Sequence, residues 1–548
     1  MRLTPHGEDF QNYYSPSFPN YNNDAELPPH ATRGFESLAP AEIGAGRSVH
    51  DVDLYGSLRK GDPVKFFSKD CAGVVAATFA SAFSADCLNN VIDPMLSKHF
   101  FFSVNELEAS RRLIAMPSAS CFFFGLLSDC YPIMGFRRKA YLIVSLVLTV
   151  FSYLILSALN MYGESLEKGT ASTGLAGGMI LFSSLAGIGN MVTFMCVHTR
   201  VIELAQREPL VMRGAIVATY SIFRFAVSAA TSAFAYVVRS NVTYHSTELI
   251  GFGLVIALTI PLVWKAWLEK YYSLSTSMKI RGQILWRVMQ QKAVWSILLF
   301  LCISTLFSSI KFRDHELIVS YWAGASSDNI YLLQTLSYAA MILMIIVWRY
   351  FCMNRPWRAL FAMSTVLLVV SKGIQATCVT LDIFRNRYFY RAMNLFPSMA
   401  VGISWLSSIV PLTEITQEGS EGAMVGLMTS LYYSVIIFVQ TNTTGLFKGA
   451  NFYENNEAGS DSPEARLIVL KTIFICYGIN ALALIGIFFL PRQKLDTQQI
   501  RSYGGYTKCA SAAILAFVVV LFSYSLVVTI LTLVPSTSCL GIAGGEGC

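Results

Sequence analysis

Apolar residues along the chain fall into blocks of about 18 to 25 separated by short polar segments, the length a helix needs to cross a hydrocarbon layer of roughly 30 Å. Six blocks come first, at Ala72–Val91, Leu113–Leu127, Tyr141–Tyr162, Gly174–Val197, Ala215–Val238 and Leu249–Trp267. A basic stretch, KYYSLSTSMKIRGQILWRVMQQK, separates them from six more, at Ala293–Ile310, Ile330–Trp348, Ala359–Val379, Ala392–Leu412, Gly422–Leu446 and Leu467–Leu490. A last run, Ala510–Val534, predicts a thirteenth span. The pattern predicts an all-α polytopic membrane protein. Residues 1–69 form a polar tail, 70–268 a six-helix bundle, 269–292 a linker, 293–490 a second six-helix bundle, and 491–548 an extension carrying the extra span.

Composition agrees with the pattern. Apolar residues make up 54% of the 548 and charged residues 14%, with a mean hydropathy of +0.50, against roughly 25% charged in soluble domains. The tail, with SPSFPNYNNDAELPPH, has no apolar period and no signal-peptide core, and is expected to be disordered. The net charge of +7 comes from basic residues lying singly or in threes beside apolar blocks, which excludes a continuous nucleic-acid-binding face and marks topology instead. Lys and Arg are in excess on the loops that share a side with the amino terminus, so that side is expected to be cytoplasmic. The sequons at Asn241 and Asn442 then fall on outer loops, as glycosylation requires, and the plasma membrane is the expected residence. The twelve cysteines show no metal spacing; Cys539 and Cys548 share one short tail, which leaves a disulfide between them open.

The most informative loop is G-L-L-S-D-C-Y-P-I-M-G-F-R-R-K-A-Y, Gly125 to Tyr141. Pro132 and Gly135 make a turn that lets Arg137 and Arg138 fold back onto Asp129, a charge clip able to hold two helices in one of two arrangements. Glu414, Glu418 and Glu421 stand before the eleventh span, where they complement a helix amino terminus and can meet Arg137 or Arg138. The loop resembles that of the major facilitator superfamily in the form carried by the folate-biopterin transporter family. V-I-E-L-A-Q-R-E-P-L-V-M-R-G, Val201 to Gly214, and P-L-T-E-I-T-Q-E-G-S-E-G, Pro411 to Gly422, resemble the same family, and its divergent oomycete-like branch in flavour. The resemblance implies a six-plus-six transporter that moves folate- or pterin-like compounds. It also marks a departure: members often carry acidic residues at the end of the fourth helix, where this chain has Phe194 and His198.

Ionisable residues inside a span cost about 2.5–3.5 kcal/mol on insertion scales, so each is a functional candidate. Arg224 lies near the middle of the fifth span and Lys372 deep in the ninth. Asp86 shares one helical face of the first span with Asn89, Asn90 and Asp93. Arg224 and Lys372 are expected to attract a carboxylate-bearing substrate, with Asp86 or Asp93 as counter-ion or proton carrier; an ion pair between Asp86 and Arg224 that only fixes packing is the competing reading. No G-x-S-x-G, H-E-x-x-H or Walker pattern occurs, so an enzyme is not expected, nor is any cofactor. The expectation is a proton-coupled secondary transporter of a small organic anion working by alternating access, with Asp129, Arg137, Arg138, Glu414 and Glu421 as gating groups. A receptor or scaffold that kept the fold and lost transport is the rival.

Overall fold

The computed structural model describes residues 56–99, 104–166, 173–239, 245–272, 277–325, 330–444, 461–534, 536–540 and 542. Asn241 and Cys548, and with it the Cys539 pairing, lie outside them. The first half of the bundle contains α1 (Ala72–His99), α2 (Val104–Ala119), α3 (Cys121–Cys130), α4 (Lys139–Ser165), α5 (Thr173–Ala205), α6 (Ala215–Arg239) and α7 (His245–Ala266). The linker holds a helix of its own, α8 (Met278–Gln290). The second half contains α9 (Lys292–Ser308), α10 (Arg313–Trp322), α11 (Ile330–Val347), α12 (Trp357–Thr380), α13 (Arg387–Met393), α14 (Leu395–Ile415), α15 (Glu421–Thr444) and α16 (Pro463–Ala481). Then come α17 (Lys494–Tyr503) and α18 (Lys508–Leu533).

Twelve of the described helices are long and apolar enough to cross a membrane, α18 among them. The seventh expected span is the exception. Its apolar helix α9 has 17 residues, about 26 Å at 1.5 Å per residue and short of a bilayer; the path continues through α10 after a break. Backbone carbonyls freed inside a membrane must find donors. Asn480 of α16 supplies them, giving hydrogen bonds of 2.7 Å to Phe307 O and 2.9 Å to Ile310 O. The second span is likewise built from two pieces. Pro117 lies within α2, and the chain turns at Ser120, whose N–H donates to Pro117 O, before α3 completes the crossing.

Within the first half α1 packs on α5, α6 and α7, and α4 lies between α5 and α7; in the second, α14 lies between α11 and α12. The halves meet along two seams, α2 and α3 against α15, and α6 against α11. The first seam is very close. A Cβ on Gly125 would collide with the carbonyl of Gly422, and one on Gly426 would lie 2.8 Å from Cys121 O, so small residues are what let these backbones touch. The extra span α18 packs on both α2 and α15 and lies across that seam.

Candidate substrate site and charged gate

The face bearing the Gly125–Tyr141 loop, here the charged face, is held shut by buried charge. Asp129, 1% exposed, ends α3. Its carboxylate takes the Arg138 guanidinium on one side, and on the other it accepts the N–H groups of Gly422 (3.3 Å) and Ala423 (2.7 Å) at the start of α15. A carboxylate of one half thus caps a helix of the other, where the helix dipole favours negative charge. Burial alone would lower the Arg138 pKa, but Asp129, Glu203 and Glu421 around it hold the guanidinium firmly charged. Arg137 does not join this clip. Its guanidinium lies 3.9 Å over the Tyr272 ring, while Glu269 accepts the backbone N–H groups of Arg137, Arg138 and Lys139 and fixes the loop.

The three glutamates divide among different partners. Glu421 lies 3.8 Å from Arg138 and 2.9 Å from Arg59, and Glu418 lies 3.2 Å from Arg59. Glu414 forms a fully buried pair with Arg213 of the first half at 3.0 Å. Gln206 adds hydrogen bonds to Thr413 O and Thr416 O. Helix α17 reinforces the closure, because Gln498 donates to the Glu414 carboxylate at 2.9 Å and Lys494 donates to Leu210 O at 3.1 Å. Burial lowers the Lys494 pKa to about 8, with Glu414 opposing. Glu208 caps α6 by accepting the N–H groups of Gly214 and Ile216, both at 2.9 Å, and burial pushes its carboxyl up to about 7. Arg59, Arg213, Gln206 and Lys494 escape a reading of the sequence as gate residues; Gln206 and Arg213, standing in the quoted Val201–Gly214 segment, are the two with a signal.

Half-way across the membrane the arrangement is different. Arg224 of α6 lies with its guanidinium 4.8 Å over the ring of Phe194 of α5 and 3.3 Å from the Ser81 hydroxyl of α1. Among the described residues no carboxylate is within 4.0 Å of it. Asp86 of α1, 7% exposed, is close enough for its charge and that of Arg224 to interact, yet the two form no ion pair. One Asp86 oxygen instead accepts a 3.2 Å hydrogen bond from Tyr338 of α11, across the seam; the Ser228 hydroxyl lies near the carboxylate, and Oδ2 makes no well-formed hydrogen bond among the described residues. Aromatic rings close the wall: Phe225 stacks on Tyr338 at 6.1 Å and meets Trp405 of α14 edge-on at 5.7 Å.

The remaining candidates lie elsewhere. Lys372 pairs with Glu316 of α10 at 3.4 Å beside a small cleft lined by Gln375, Tyr390 and Tyr477, inside the second half and apart from Arg224. Asp93 lies on α1 toward the opposite face. Asn442 is buried within α15, its amide donating to Phe438 O and accepting from Tyr524 of α18, an arrangement that leaves no space for a glycan.

The sequence signature of the BT1 family matches residues 84–485. The chain belongs to the BT1 family of folate-biopterin transporters. Solved structures agree on the fold. A proton:xylose symporter of the major facilitator superfamily, XylE, bound to 6-bromo-6-deoxy-D-glucose, has a TM-score of 0.53 at 13% identity, over 80% of this chain and 99% of that one. A bacterial homologue of the iron transporter ferroportin has 0.52 at 11%, over 74% and 97%, and a D-xylose-proton symporter 0.51 at 15%, over 77% and 98%. No curated protein matched by sequence. This BT1 protein is therefore an integral, multi-pass membrane transporter with a major-facilitator fold, and Asp129, Arg138, Arg213, Glu414, Glu421 and Arg224 fall inside the matched residues while Arg59, Lys494 and Gln498 fall outside them.

Proposed function

We propose that this BT1 protein carries a small carboxylate-bearing solute, folate- or pterin-like or another organic anion, by proton-coupled alternating access. The observation that carries the reading is Arg224: a guanidinium near mid-membrane, resting on an aromatic ring with no carboxylate of the described residues in ion-pair range. A charge there is costly and is kept where it has work to do; an incoming carboxylate supplies the missing counter-charge through paired N–H donors. Asp86 serves as the proton carrier. With one oxygen making no well-formed hydrogen bond among the described residues and the other bound to Tyr338 across the seam, its protonation changes a contact between the halves. The Asp129–Arg138 clip and the Arg213–Glu414 pair form the inner gate, which opens to release substrate on the cytoplasmic side, the amino terminus being cytoplasmic and the residence the plasma membrane. Lys372, bound to Glu316, supports the second half's packing in this arrangement.

Uptake of labelled folates, pterins and simpler organic anions into proteoliposomes with an imposed pH gradient tests the reading. Uptake should rise as the outside is acidified, collapse with a protonophore, and lose its pH dependence in Asp86→Asn. A protein that is correctly inserted yet moves none of these anions under any gradient would instead be a receptor or scaffold on a transporter fold.

A further inference from the structure

Helices α5 and α6 run antiparallel, and each places an aromatic or charged side chain every four residues on the facing side. Phe194 and His198 stand one turn apart on α5, Tyr220 and Arg224 one turn apart on α6. They form two rungs. In the upper rung Arg224 lies 4.8 Å over Phe194; in the lower, on the side of the charged face, the His198 and Tyr220 rings are 5.7 Å apart. His198 also stacks on Phe194 at 5.2 Å, so the rungs are continuous. Four residues at 1.5 Å set the backbones of the two rungs about 6 Å apart, with the Tyr220 hydroxyl turned toward Arg224.

The lower rung is polar and unsatisfied. His198 is 2% exposed and Tyr220 fully buried; among the described residues neither His198 Nδ1 nor the Tyr220 hydroxyl makes a well-formed hydrogen bond, and the charge that reaches the hydroxyl is the Arg224 guanidinium. A buried polar group left unbonded costs about 1–3 kcal/mol, and two such groups on neighbouring rings, beside an arginine that has no ion-pair partner among the described residues, are hard to explain by packing. Phenylalanine at either position would fill the same volume without that cost. Trp405 of the second half donates to Ser221, the residue next to Tyr220, at 3.1 Å, which puts the rung beside the seam that opens when the halves part.

We propose that His198 and Tyr220 are specificity-determining residues that bond a second polar group of the substrate, about 6 Å from the carboxylate held by Arg224. The inference rests on the Arg224 reading and extends it: the preferred solute carries a carboxylate at one end and a hydrogen-bonding oxygen or nitrogen one helical turn away. A monocarboxylate of equal size leaves the lower rung unbonded and binds less well.

Adipate and hexanoate, with the same number of carbons, are the probes, and thermal shift and calorimetry on the full chain in detergent are the readouts. The wild type should bind adipate more tightly than hexanoate. Tyr220→Phe and His198→Phe should each weaken adipate by about tenfold, the worth of one good hydrogen bond, leave hexanoate unchanged, and raise or preserve the thermal midpoint of the ligand-free protein. Equal binding of the two probes by the wild type would overturn this assignment while leaving Arg224 in place. So would a Tyr220→Phe protein that loses thermal stability and keeps its adipate affinity, because that is what a packing role produces. Binding of neither probe would remove the Arg224 reading itself, and this assignment with it.

Discussion

The charged face and the mid-membrane cluster handle buried charge in opposite ways. At the face, Arg138 and Arg213 each have a carboxylate within the protein, and Asp129 is further satisfied by two backbone N–H groups of the other half. At mid-membrane, Arg224 rests on a ring, and among the described residues Asp86 Oδ2, His198 Nδ1 and the Tyr220 hydroxyl make no well-formed hydrogen bond. A region that only closes the molecule can pair its charges internally, even where single atoms such as Arg138 Nε are left unbonded. One that must accept a ligand has to leave part of its bonding for that ligand, at a cost in stability. The difference in charge pairing is what the proposed gate and the proposed site rest on.

The contrast can be broken by mutation. Arg213→Ala leaves Glu414 buried without its cation and should cost about 3–5 kcal/mol, seen as loss of folded protein and a large fall in thermal midpoint, with Arg213→Met/Glu414→Gln recovering much of it. Arg224→Ala, which strands no ion-paired carboxylate, should fold at near wild-type yield. If both fail to fold equally, the distinction between gate and site collapses. Asp129→Asn should have a middling effect, about 1–3 kcal/mol, because Arg138 loses its main counter-charge and the start of α15 its cap. Cys130, buried and free beside it, should then react faster with a thiol reagent in a protein whose exposed Cys509 has been replaced by Ser; unchanged reactivity would mean that the clip does not hold the face closed.

The smallest expected effect is on pH. The Glu208 carboxyl is raised by burial from an ordinary 4.5 to about 7, so between those values the folded protein holds a proton that the unfolded chain has released. Stability is then greatest at the acid end of the window and falls as pH rises toward 7. Glu208→Gln should flatten this slope in thermal midpoints taken from about pH 5 to pH 7.5; an unaltered slope would assign it to another group.

Hydropathy carried most of the fold, because a bilayer imposes one length on every crossing element. It located the apolar helix of the seventh span and not the break that follows it, where Asn480, remote in sequence, satisfies the exposed carbonyls. The Asp129–Arg138 contact was readable because its partners lie on one loop. Arg213 with Glu414 was not, since nothing local says that the starts of α6 and α14's far end converge. Arg224 and Asp86 stood out by cost alone, and so did Lys372, whose partner Glu316 lies on the short helix α10, which opens on Arg313, Asp314, His315 and Glu316 and reads as a polar loop between two apolar blocks. His198 was marked only as a departure from the family's acidic residues, and Tyr220 gave no signal: an uncharged ring in a span is ordinary until its missing hydrogen bond is seen.

The central claim is that Arg224 is the anion-binding group of this transporter. The most direct test is thermal shift of purified wild type and Arg224→Ala against a panel of organic carboxylates and their matched neutral amides, since a ligand of the folded state stabilises it by mass action. The account predicts that carboxylates and not amides raise the wild-type midpoint, and that Arg224→Ala, with a ligand-free midpoint close to wild type, responds to neither. Equal stabilisation of the two proteins by the same carboxylates would contradict it.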